Sequence, residues 1–344
     1  LSSAASDVYK RQTQCALYKC RTKRRLEALL CLKPGDLKVI DTIIGYHSFE
    51  IDKKHSHEKR QITAPDSTLK LVQRRILYLL QRVIRPDWLI SGEKQKCYID
   101  NGKAHLDGRY VLTIDIKKFY DNCKREPVYQ FFVRKLKTSY DVAEILTNIV
   151  TYHSGIPTGC PTSQIMAFYA YEDMFTEIHD LAQRNNCKFT LYVDDMTFSS
   201  KEPFSKKQLT RSIDCVLRKY GHKPKYAKVK YYTHLDYKPI TGTIVTPKQV
   251  LSVPNGLQKT IYDGFQKLKP AIRNANCSLE EEKQILSLKG QIQAARNIEE
   301  GIFPEILRLT NQIKTSYDEV VPKQKTSIGT QSKKINIPKK HVIK

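Results

Sequence analysis

Two adjacent carboxylates in the middle of an apolar strand constrain this chain more than any other feature. In the stretch KFTLYVDDMTFSS, which starts at Lys188, apolar and polar residues alternate as they do in a half-buried strand. Asp194 and Asp195 interrupt the pattern, although aspartate is unfavourable in strands and adjacent like charges repel. Either the pair forms a hairpin turn, where aspartate is common, or the two carboxylates bind a cation.

A third carboxylate occupies a similar place upstream. Asp115 follows the apolar segment VLTI, and Ile116 comes directly after it. If the two segments are neighbouring strands, the three carboxylates meet, and they cannot all stay ionised without a cation. Mg²⁺ prefers oxygen ligands, and two such ions about 3.5–4 Å apart can hold the attacking and leaving oxygens of a phosphoryl transfer. The pattern therefore indicates polymerase or nuclease chemistry.

The charge balance of the chain points to a polyanionic partner. Its 344 residues include 59 Lys and Arg against 35 Asp and Glu, a formal net charge of +24, which favours nucleic acid or an anionic membrane surface. No run of about 18 apolar residues and no signal-peptide pattern is found, so we expect a cytoplasmic protein with no membrane partner. The 9 cysteines include no C-x2-C pair, which indicates reduced thiols and neither a disulfide framework nor a zinc site.

Hydrophobic periodicity predicts an α+β fold. Helices are expected from residue 13, then two strands around the turn HSHE, an amphipathic helix from Leu69 to Ile84, and a mixed region that includes one long helix from Gln164 to Gln183. From Leu257 to Val320 the pattern is helical. Residues 1–12 join no pattern, and we interpret them as a non-native or artefactual segment.

Three motifs together resemble the reverse transcriptase family in order and spacing. DIKKFYDN, starting at Asp115, is similar to the family's first carboxylate motif. GIPTGCPTS, starting at Gly155, is similar to the loop-to-helix motif that contacts template and incoming nucleotide, and YVDD, ending at Asp195, is similar to the two-aspartate hairpin. The resemblance implies a right-hand polymerase that uses two Mg²⁺ ions and deoxynucleoside triphosphates.

The same resemblance implies a division of the chain. The parts are N-terminal helices and fingers at 13–108, a palm of antiparallel sheet plus helices at 109–245 with a fingers insertion at about 124–155, a mainly helical thumb at 246–320, and a basic flexible tail at 321–344.

Individual roles follow from the family's motifs. The catalytic residues implied are Asp115, Asp194 and Asp195, and the metal ligands implied are Asp115, Ile116, Asp194 and Asp195. The nucleotide-binding residues implied are Lys54, Arg60, Tyr120, Gly159 and Lys228.

Two of these nucleotide-binding assignments compete with a neighbouring residue. The family has a lysine and an arginine that hold the triphosphate. Arg60 fits the arginine, and either Lys53 or Lys54 fits the lysine. The simpler alternative is that these residues form an ordinary basic hairpin exposed to solvent. Tyr120 is the aromatic residue expected to screen the sugar against a ribose hydroxyl. If the segment is a strand, alternation allows only one of Phe119 and Tyr120 to face the site.

The loop motif departs from the family at two positions. Thr158 stands where glutamine is common, and Gln164 where proline is common, which weakens the nucleotide contact expected from residue 158. Gly159 still allows the backbone to approach the substrate closely. Lys228 is expected near the pyrophosphate leaving group, with an ordinary solvated strand face as the alternative.

Two short stretches resemble the bacterial retron branch of the family. NGKAH, from Asn101 to His105, is similar to the retron signature N-A-x-x-H with Gly102 in place of alanine. ITG is similar to V-T-G with isoleucine for valine. The resemblance implies RNA-binding roles for Asn101, His105, Thr241 and Gly242, with a scaffold role as the alternative for the first two.

The retron resemblance implies a specific activity. Such an enzyme copies part of a structured noncoding RNA into DNA, starts from a 2′-hydroxyl of that RNA, and acts in antiphage defence with a separately encoded effector. The partners implied are the cognate noncoding RNA and its RNA–DNA product. The alternatives are an intron-encoded or defence-associated bacterial reverse transcriptase, and a nucleic-acid-binding scaffold that does not polymerise.

Overall fold

The structure, a computed structural model, describes residues 13–42, 44–52, 59–274 and 278–312. The segment 1–12, the tail 321–344 and both candidate lysines, Lys53 and Lys54, lie outside these residues. Within them, helices combine with antiparallel sheets, which confirms the α+β class. No described helix is both long and apolar enough to cross a membrane.

The N-terminal part contains a helix, a strand pair and a second helix. Its elements are α1 (Lys23–Leu30), a 3₁₀ helix (Asp36–Thr42), β1 (Tyr46–Asp52), β2 (Lys59–Pro65) and α2 (Ser67–Leu80). β1 and β2 pair antiparallel, as the sequence predicts. The apolar stripe of α2 is buried, including Leu69, Val72 and Ile76, because residues three and four apart share one helix face.

The central part carries most of the chain's buried core. Its helices are α3 (Tyr98–Ala104), α4 (Phe119–Asn122), α5 (Arg125–Gln130) with a π-helical extension (Phe131–Lys135), α6 (Tyr140–Val150), α7 (Ser163–Ala170), α8 (Glu172–Arg184), α9 (Lys206–Lys219) and a 3₁₀ turn (Tyr226–Lys228). Its strands are β3 (Tyr110–Asp115), β4 (Lys188–Tyr192), β5 (Asp195–Ser200) and β6 (Lys230–Tyr232).

The long helix expected from Gln164 to Gln183 is two helices, because the backbone leaves helical geometry at Tyr171 (φ −121°, ψ 21°). The Tyr171 hydroxyl accepts a hydrogen bond from the Lys124 backbone N–H at 3.0 Å and donates to the Asn122 carbonyl at 3.1 Å. Its side chain is buried. This contact with a distant segment of the chain coincides with the break, so the prediction of one continuous helix was wrong.

Four antiparallel strands form the central sheet in the order β4-β5-β3-β6. β5 lies between β4 and β3, so the strand that begins with Asp195 is paired on both edges. Apolar side chains of these strands, such as Leu112, Ile114 and Phe198, are fully buried against the helices. The sheet therefore gives the acidic strand ends a rigid support.

The C-terminal part begins with a small sheet and ends in helices. The strands are β7 (Lys238–Ile240), β8 (Thr243–Val245) and β9 (Leu251–Ser252), and the helices are α10 (Asn255–Asn274), α11 (Leu279–Ile298) and α12 (Pro304–Asn311). The prediction of a helical C-terminal region is confirmed as far as Asn311. These helices share a second apolar core that includes Ile261, Leu288 and Ile292.

Candidate active site

The hairpin β4–β5 has a two-residue turn in which one of the two adjacent aspartates lies. Tyr192 pairs with Asp195, so Val193 and Asp194 form the turn and Asp195 is the first residue of β5. Val193 has φ 60°, a left-handed conformation that is an outlier for a β-branched residue. The Val193 N–H donates to Ser91 Oγ at 2.8 Å, which holds this strained turn from the neighbouring segment.

Strand pairing brings the third carboxylate to the same place. Asp115, the last residue of β3, is the direct cross-strand partner of Asp195. The Ile116 N–H donates to the Asp194 carbonyl at 3.2 Å, so the chain beyond β3 follows the turn. The sheet therefore brings Asp115, Asp194 and Asp195 together at one end, as the two apolar segments predict.

Lys228 provides a positive charge at this cluster. Its Nζ donates to Asp115 Oδ2 at 2.7 Å, and the hydrogen bond raises the pKa of Lys228. The backbone N–H of Lys225 also donates to the Asp115 carbonyl at 2.7 Å, which attaches the 3₁₀ turn to the end of β3. Because the Lys228 side chain is 55% exposed, its ammonium also reaches solvent and any molecule that enters.

The electrostatics of the cluster favour a bound cation. Burial raises the pKa of the Asp195 carboxyl, nearby Asp115 raises it further, and Lys228 opposes both effects. A cation would favour the ionised form of Asp195 in the way that Lys228 does.

The donor chemistry of these residues fits magnesium. The side-chain donors are carboxylate oxygens, the ligands of a hard cation, and buried Ile116 can contribute only its carbonyl oxygen. Among the described residues, no three His, Cys, Asp or Glu side chains form a ready-made metal-binding group. Mg²⁺ needs no such cage, because it typically binds one or two carboxylates and completes its shell with water and substrate phosphate oxygens.

An open cleft adjoins the carboxylates. Six of the residues that line it bear on its chemistry: Asp115, Asp195, Lys228, Lys230, Tyr232 and Thr241. They combine carboxylates, lysine ammonium groups, an aromatic ring and a hydroxyl in one cleft. Such a lining suits a substrate that has phosphate groups and nucleobases able to stack on the ring. Thr241, from the turn between β7 and β8, thus lines the same cleft as the aspartates.

Phe119 and Tyr120 differ in burial for a reason other than strand alternation. They belong to the short helix α4, so the strand argument does not apply. Phe119 is 3% exposed and packs its ring against Phe175 and His222, whereas Tyr120 is only partly buried. Tyr120 remains the better candidate to contact a substrate, and its contact with the sugar stays a prediction.

The Gly/Pro loop packs against β2. Thr158 Oγ1 donates to the Gln61 carbonyl at 3.0 Å, and the Thr63 N–H donates to the Thr158 carbonyl at 2.9 Å. Gly159 has φ 105°, and a Cβ there would lie 2.8 Å from Ile62 Cγ2. Glycine is thus required at position 159 because the backbone there packs closely against β2. That the same backbone also approaches a nucleotide stays a prediction. Arg60 lies in β2, and the structure describes its backbone but not its side chain.

Asn101 and His105 are both buried, which argues against the RNA-binding role expected for them. Each side chain is 0% exposed. Asn101 hydrogen-bonds to Thr190 and Thr241, and His105 to Thr190 and Ser199. Burial and internal hydrogen bonds favour the scaffold alternative, and an RNA contact by either residue stays a prediction.

Sequence reasoning missed three hydroxyl residues at the site, namely Ser91, Thr190 and Ser199. Thr190 and Ser199 are buried hydroxyls on the two strands of the acidic hairpin. Their position in apolar strands was a signal that each needs an internal partner, because a buried polar group without one is costly. The sequence did not reveal which partner, since the bonded residues are far apart along the chain.

Comparison with known proteins agrees with this geometry. Residues 51–283 match the model of the family described as reverse transcriptase (RNA-dependent DNA polymerase). The chain is 25% identical over 197 residues to the Retron Se72 reverse transcriptase of Salmonella heidelberg (strain 579083-10), covering 56% of this chain and 52% of that protein. It is 25% identical over 171 residues to the Retron Ec86 reverse transcriptase of Escherichia coli, covering 49% of this chain and 52% of that protein. The matches thus span about half the length of these relatives.

Proposed function

The chain belongs to the reverse transcriptase family, and from that premise we propose that it is a retron-type RNA-directed DNA polymerase. The observation that carries this proposal is the meeting of Asp115, Asp194 and Asp195 at the ends of paired strands beside an open cleft. Carboxylates placed in this way suit metal-assisted transfer of a nucleotidyl group.

The architecture we propose is a right hand. The strand pair β1–β2 belongs to the fingers, the four-stranded sheet to the palm, and the helices after β9 to the thumb. The separate apolar core of the C-terminal helices supports a thumb with its own packing. In this arrangement the cleft between Lys228 and Thr241 receives the strand that is extended.

Each residue at the site has a proposed task. Asp115, Asp194, Asp195 and the carbonyl of Ile116 would hold two Mg²⁺ ions. When bound, these ions supply charge stabilisation at the reacting phosphate. Lys228 donates a hydrogen bond to the pyrophosphate leaving group, next to its present partner Asp115.

The remaining nucleotide contacts come from the neighbouring segments. Tyr120 screens the sugar of the incoming deoxynucleotide, Arg60 and Lys54 hold its triphosphate, and the backbone at Gly159 lies along it. Thr241 and Gly242 contact the nucleic acid in the cleft. The exposed part of Tyr120, the φ of 105° at Gly159 and the cleft position of Thr241 support these tasks.

The substrate we propose is a structured noncoding RNA. Synthesis would start from a 2′-hydroxyl of this RNA and yield joined RNA and DNA, in antiphage defence with a separately encoded effector. The support is the net charge of +24, which suits a polyanion, and the similarity to proteins named retron reverse transcriptases.

Primer extension tests the polymerase directly. Purified protein, Mg²⁺, deoxynucleoside triphosphates and an annealed RNA template with a DNA primer should give a full-length DNA strand, and omission of Mg²⁺ should prevent it. A protein that binds this duplex but adds no nucleotide would support the scaffold alternative and contradict the proposal.

Nucleic acid that co-purifies with the protein tests the retron assignment. The protein is expressed from its native locus, and the bound nucleic acid is sequenced before and after treatment with ribonuclease. A DNA strand covalently joined to RNA through a 2′ linkage is the expected result. DNA without attached RNA would indicate another type of bacterial reverse transcriptase.

A further inference from the structure

The exposed face of α2 carries bases and no acid. From Ser67 to Ile84 the sequence has no Asp or Glu, and its bases are Lys70, Arg74, Arg75 and Arg82. All but Arg75 are exposed, and with exposed Tyr78 they recur at every fourth residue. Residues at this spacing share one side of a helix and lie about 6 Å apart along its axis. We call these five residues the α2 basic face.

Two arginines of this face are held around Tyr78. The guanidinium carbon of Arg75 lies 5.2 Å from the centre of the Tyr78 ring, and that of Arg82 lies 4.9 Å from it. Arg82 Nη2 also donates a hydrogen bond to the Tyr78 hydroxyl at 2.7 Å. This bond, together with the charges of Arg82, Arg75 and Lys94, lowers the pKa of Tyr78. A base that is only solvated keeps its side-chain freedom, whereas these two arginines are oriented by the ring.

The charges of this face have no acidic partner. Among the described residues, no carboxylate forms an ion pair with any base of the α2 basic face. Bases elsewhere on the surface are paired, such as Lys135 with Asp173 and Lys219 with Glu177. A cluster of bases that the protein does not neutralise favours a polyanion.

The neighbouring helix α1 extends the same surface. Arg75 Nε donates to the Leu29 carbonyl at 2.7 Å, which joins the two helices. α1 begins with three exposed bases, Lys23, Arg24 and Arg25. Its single acid, Glu27, is buried and accepts hydrogen bonds from the N–H groups of Gly35 and Leu37. Neither α1 nor α2 therefore presents a carboxylate to solvent.

The α2 basic face is separate from the acidic cluster. Among the described residues that line the cleft beside Asp115 and Asp195, none belongs to this face. The opposite side of α2, which includes Leu69, Val72 and Ile76, is buried in the core. A nucleic acid bound at the α2 basic face would therefore be a different segment from the strand end that lies at the carboxylates.

From these contacts we infer that the α2 basic face binds the phosphate backbone of a double-stranded RNA segment that is not the strand being copied. Arginine suits this task, because its guanidinium group can donate two parallel hydrogen bonds to one phosphate. Duplex RNA is recognised by its shape, phosphates and 2′-hydroxyls, whereas single strands are bound by stacking of bases on aromatic rings. Tyr78, the only aromatic residue of α2, is already covered by two guanidinium groups, which favours the duplex. The inference rests on the proposed function, whose RNA is structured, and adds a second surface for that RNA.

Two double variants and a matched control test this surface. Arg74→Gln/Arg82→Gln removes two charges, and Arg74→Lys/Arg82→Lys keeps the charges but not the guanidinium groups. The control, Lys135→Gln/Lys219→Gln, removes two bases that are already paired with acids of α8. Fluorescence anisotropy measures the dissociation constants of a labelled RNA hairpin and of a single-stranded RNA of equal length at several NaCl concentrations. Sedimentation measures binding to vesicles of phosphatidylcholine and phosphatidylglycerol.

The expected result separates a local contact from an effect of net charge. Arg74→Gln/Arg82→Gln should raise the dissociation constant of the hairpin about tenfold and reduce the slope of log affinity against log salt by about 2, one for each lost phosphate contact. The lysine variant should keep the slope of the wild type, and the control should stay within about twofold of its dissociation constant. The single-stranded RNA should lose less affinity than the hairpin. Equal losses for the glutamine variant and the control, or for the two RNAs, would overturn the inference.

Primer extension and vesicle binding separate the inference from its rivals. Extension of a short DNA primer on an unstructured RNA template should be the same in all variants, because the acidic cluster is intact. Slower extension by the glutamine variant would place the face on the copied strand and overturn the inference. Vesicle binding that only the glutamine variant loses, with hairpin binding unchanged, would overturn it in favour of an anionic membrane. Absence of extension by the wild type would contradict the proposed polymerase, whereas the hairpin constants by themselves decide this inference.

Discussion

Two polar clusters lie along the β4–β5 hairpin, and they differ in charge and in exposure. The carboxylate cluster of Asp115, Asp194 and Asp195 lies at the strand ends beside an open cleft, where the pKa of Asp195 is raised. The buried chain of hydrogen-bonded side chains, formed by Ser199, His105, Thr190 and Asn101, lies farther along β4 and β5 and is uncharged, because burial lowers the pKa of His105 to about 3. Polar residues in apolar strands therefore serve two purposes here. The carboxylates present charge that a ligand can neutralise, and the buried polar side chains make hydrogen bonds that hold the strands and α3 in position.

The comparison also explains why the two clusters occur together. The hairpin turn has a β-branched residue at φ 60°, so its conformation must be maintained by the surrounding structure. Ser91 holds the turn itself, and the chain from Ser199 to Asn101 connects the two strands behind it to α3. A rigid support lets the carboxylates stay close together without separating to relieve their repulsion.

Removal of one carboxylate should have the largest effect. Asp194→Ala should lower primer extension at least about a thousandfold, because one of the carboxylates proposed to hold the cation at the reacting phosphate is lost. The melting temperature should stay near that of the wild type, since this side chain belongs to a turn beside a cleft. Asp107→Asn is the control, because Asp107 is an exposed acid away from the turn. Full activity of Asp194→Ala would contradict the assignment of the cluster.

Removal of the central residue of the buried chain should act on stability. His105→Leu leaves the hydroxyls of Ser199 and Thr190 without their buried partner, so the free energy of unfolding should fall by about 2–4 kcal/mol. Urea denaturation measures this change. His234→Leu, at an exposed position, is the control and should change the free energy by less than about 0.5 kcal/mol. An equal effect of the two variants would show that the buried chain adds no stability.

A methyl group at Gly102 should disturb the packing of α3 against β8. Gly102→Ala places a Cβ 2.3 Å from Thr243 Oγ1, so the free energy of unfolding should fall by about 1–3 kcal/mol. Gly256→Ala in α10 is the matched control, because a Cβ there meets nothing within 4 Å. The control should be neutral or slightly stabilising, since alanine is the better helix former. Unchanged stability of Gly102→Ala would mean that the helix moves freely away from the hairpin.

The smallest effect should be a dependence on pH. The pKa of His105 is lowered from 6.5 to about 3, so between these values the unfolded chain binds a proton that the folded chain does not. Stability is therefore complete above pH 6.5 and is lost as the pH falls below it. From pH 7 to 5.5 the wild type should lose about 1 kcal/mol more than His105→Leu. His222, whose pKa is lowered to about 4, contributes a similar loss to both proteins and cancels in the difference. Parallel curves for the two proteins would show that His105 is not buried and neutral.

Much of the local structure could be predicted from the sequence because short-range pattern determines it. Alternation located β3, β4 and β5, and it predicted that Asp115 would meet the acidic pair if the two segments were neighbouring strands, which the pairing of Asp115 with Asp195 confirms. Helical spacing located α2 and the C-terminal helices. The break at Tyr171 escaped prediction because a hydrogen bond to residues near Asn122 accompanies it, and no local signal marks that contact.

The sequence by itself determined the acidic site, since three carboxylates in apolar strands have few explanations and the spacing of the motifs matches one family. The tertiary structure alone decided which other polar residues face the cleft. Asn101 and His105 looked like residues that bind RNA, yet both are buried, and Thr241, which hydrogen-bonds to Asn101, reaches the cleft. The physical reason is that burial and hydrogen-bond direction depend on residues about a hundred positions away, whereas charge and periodicity are local properties of the chain.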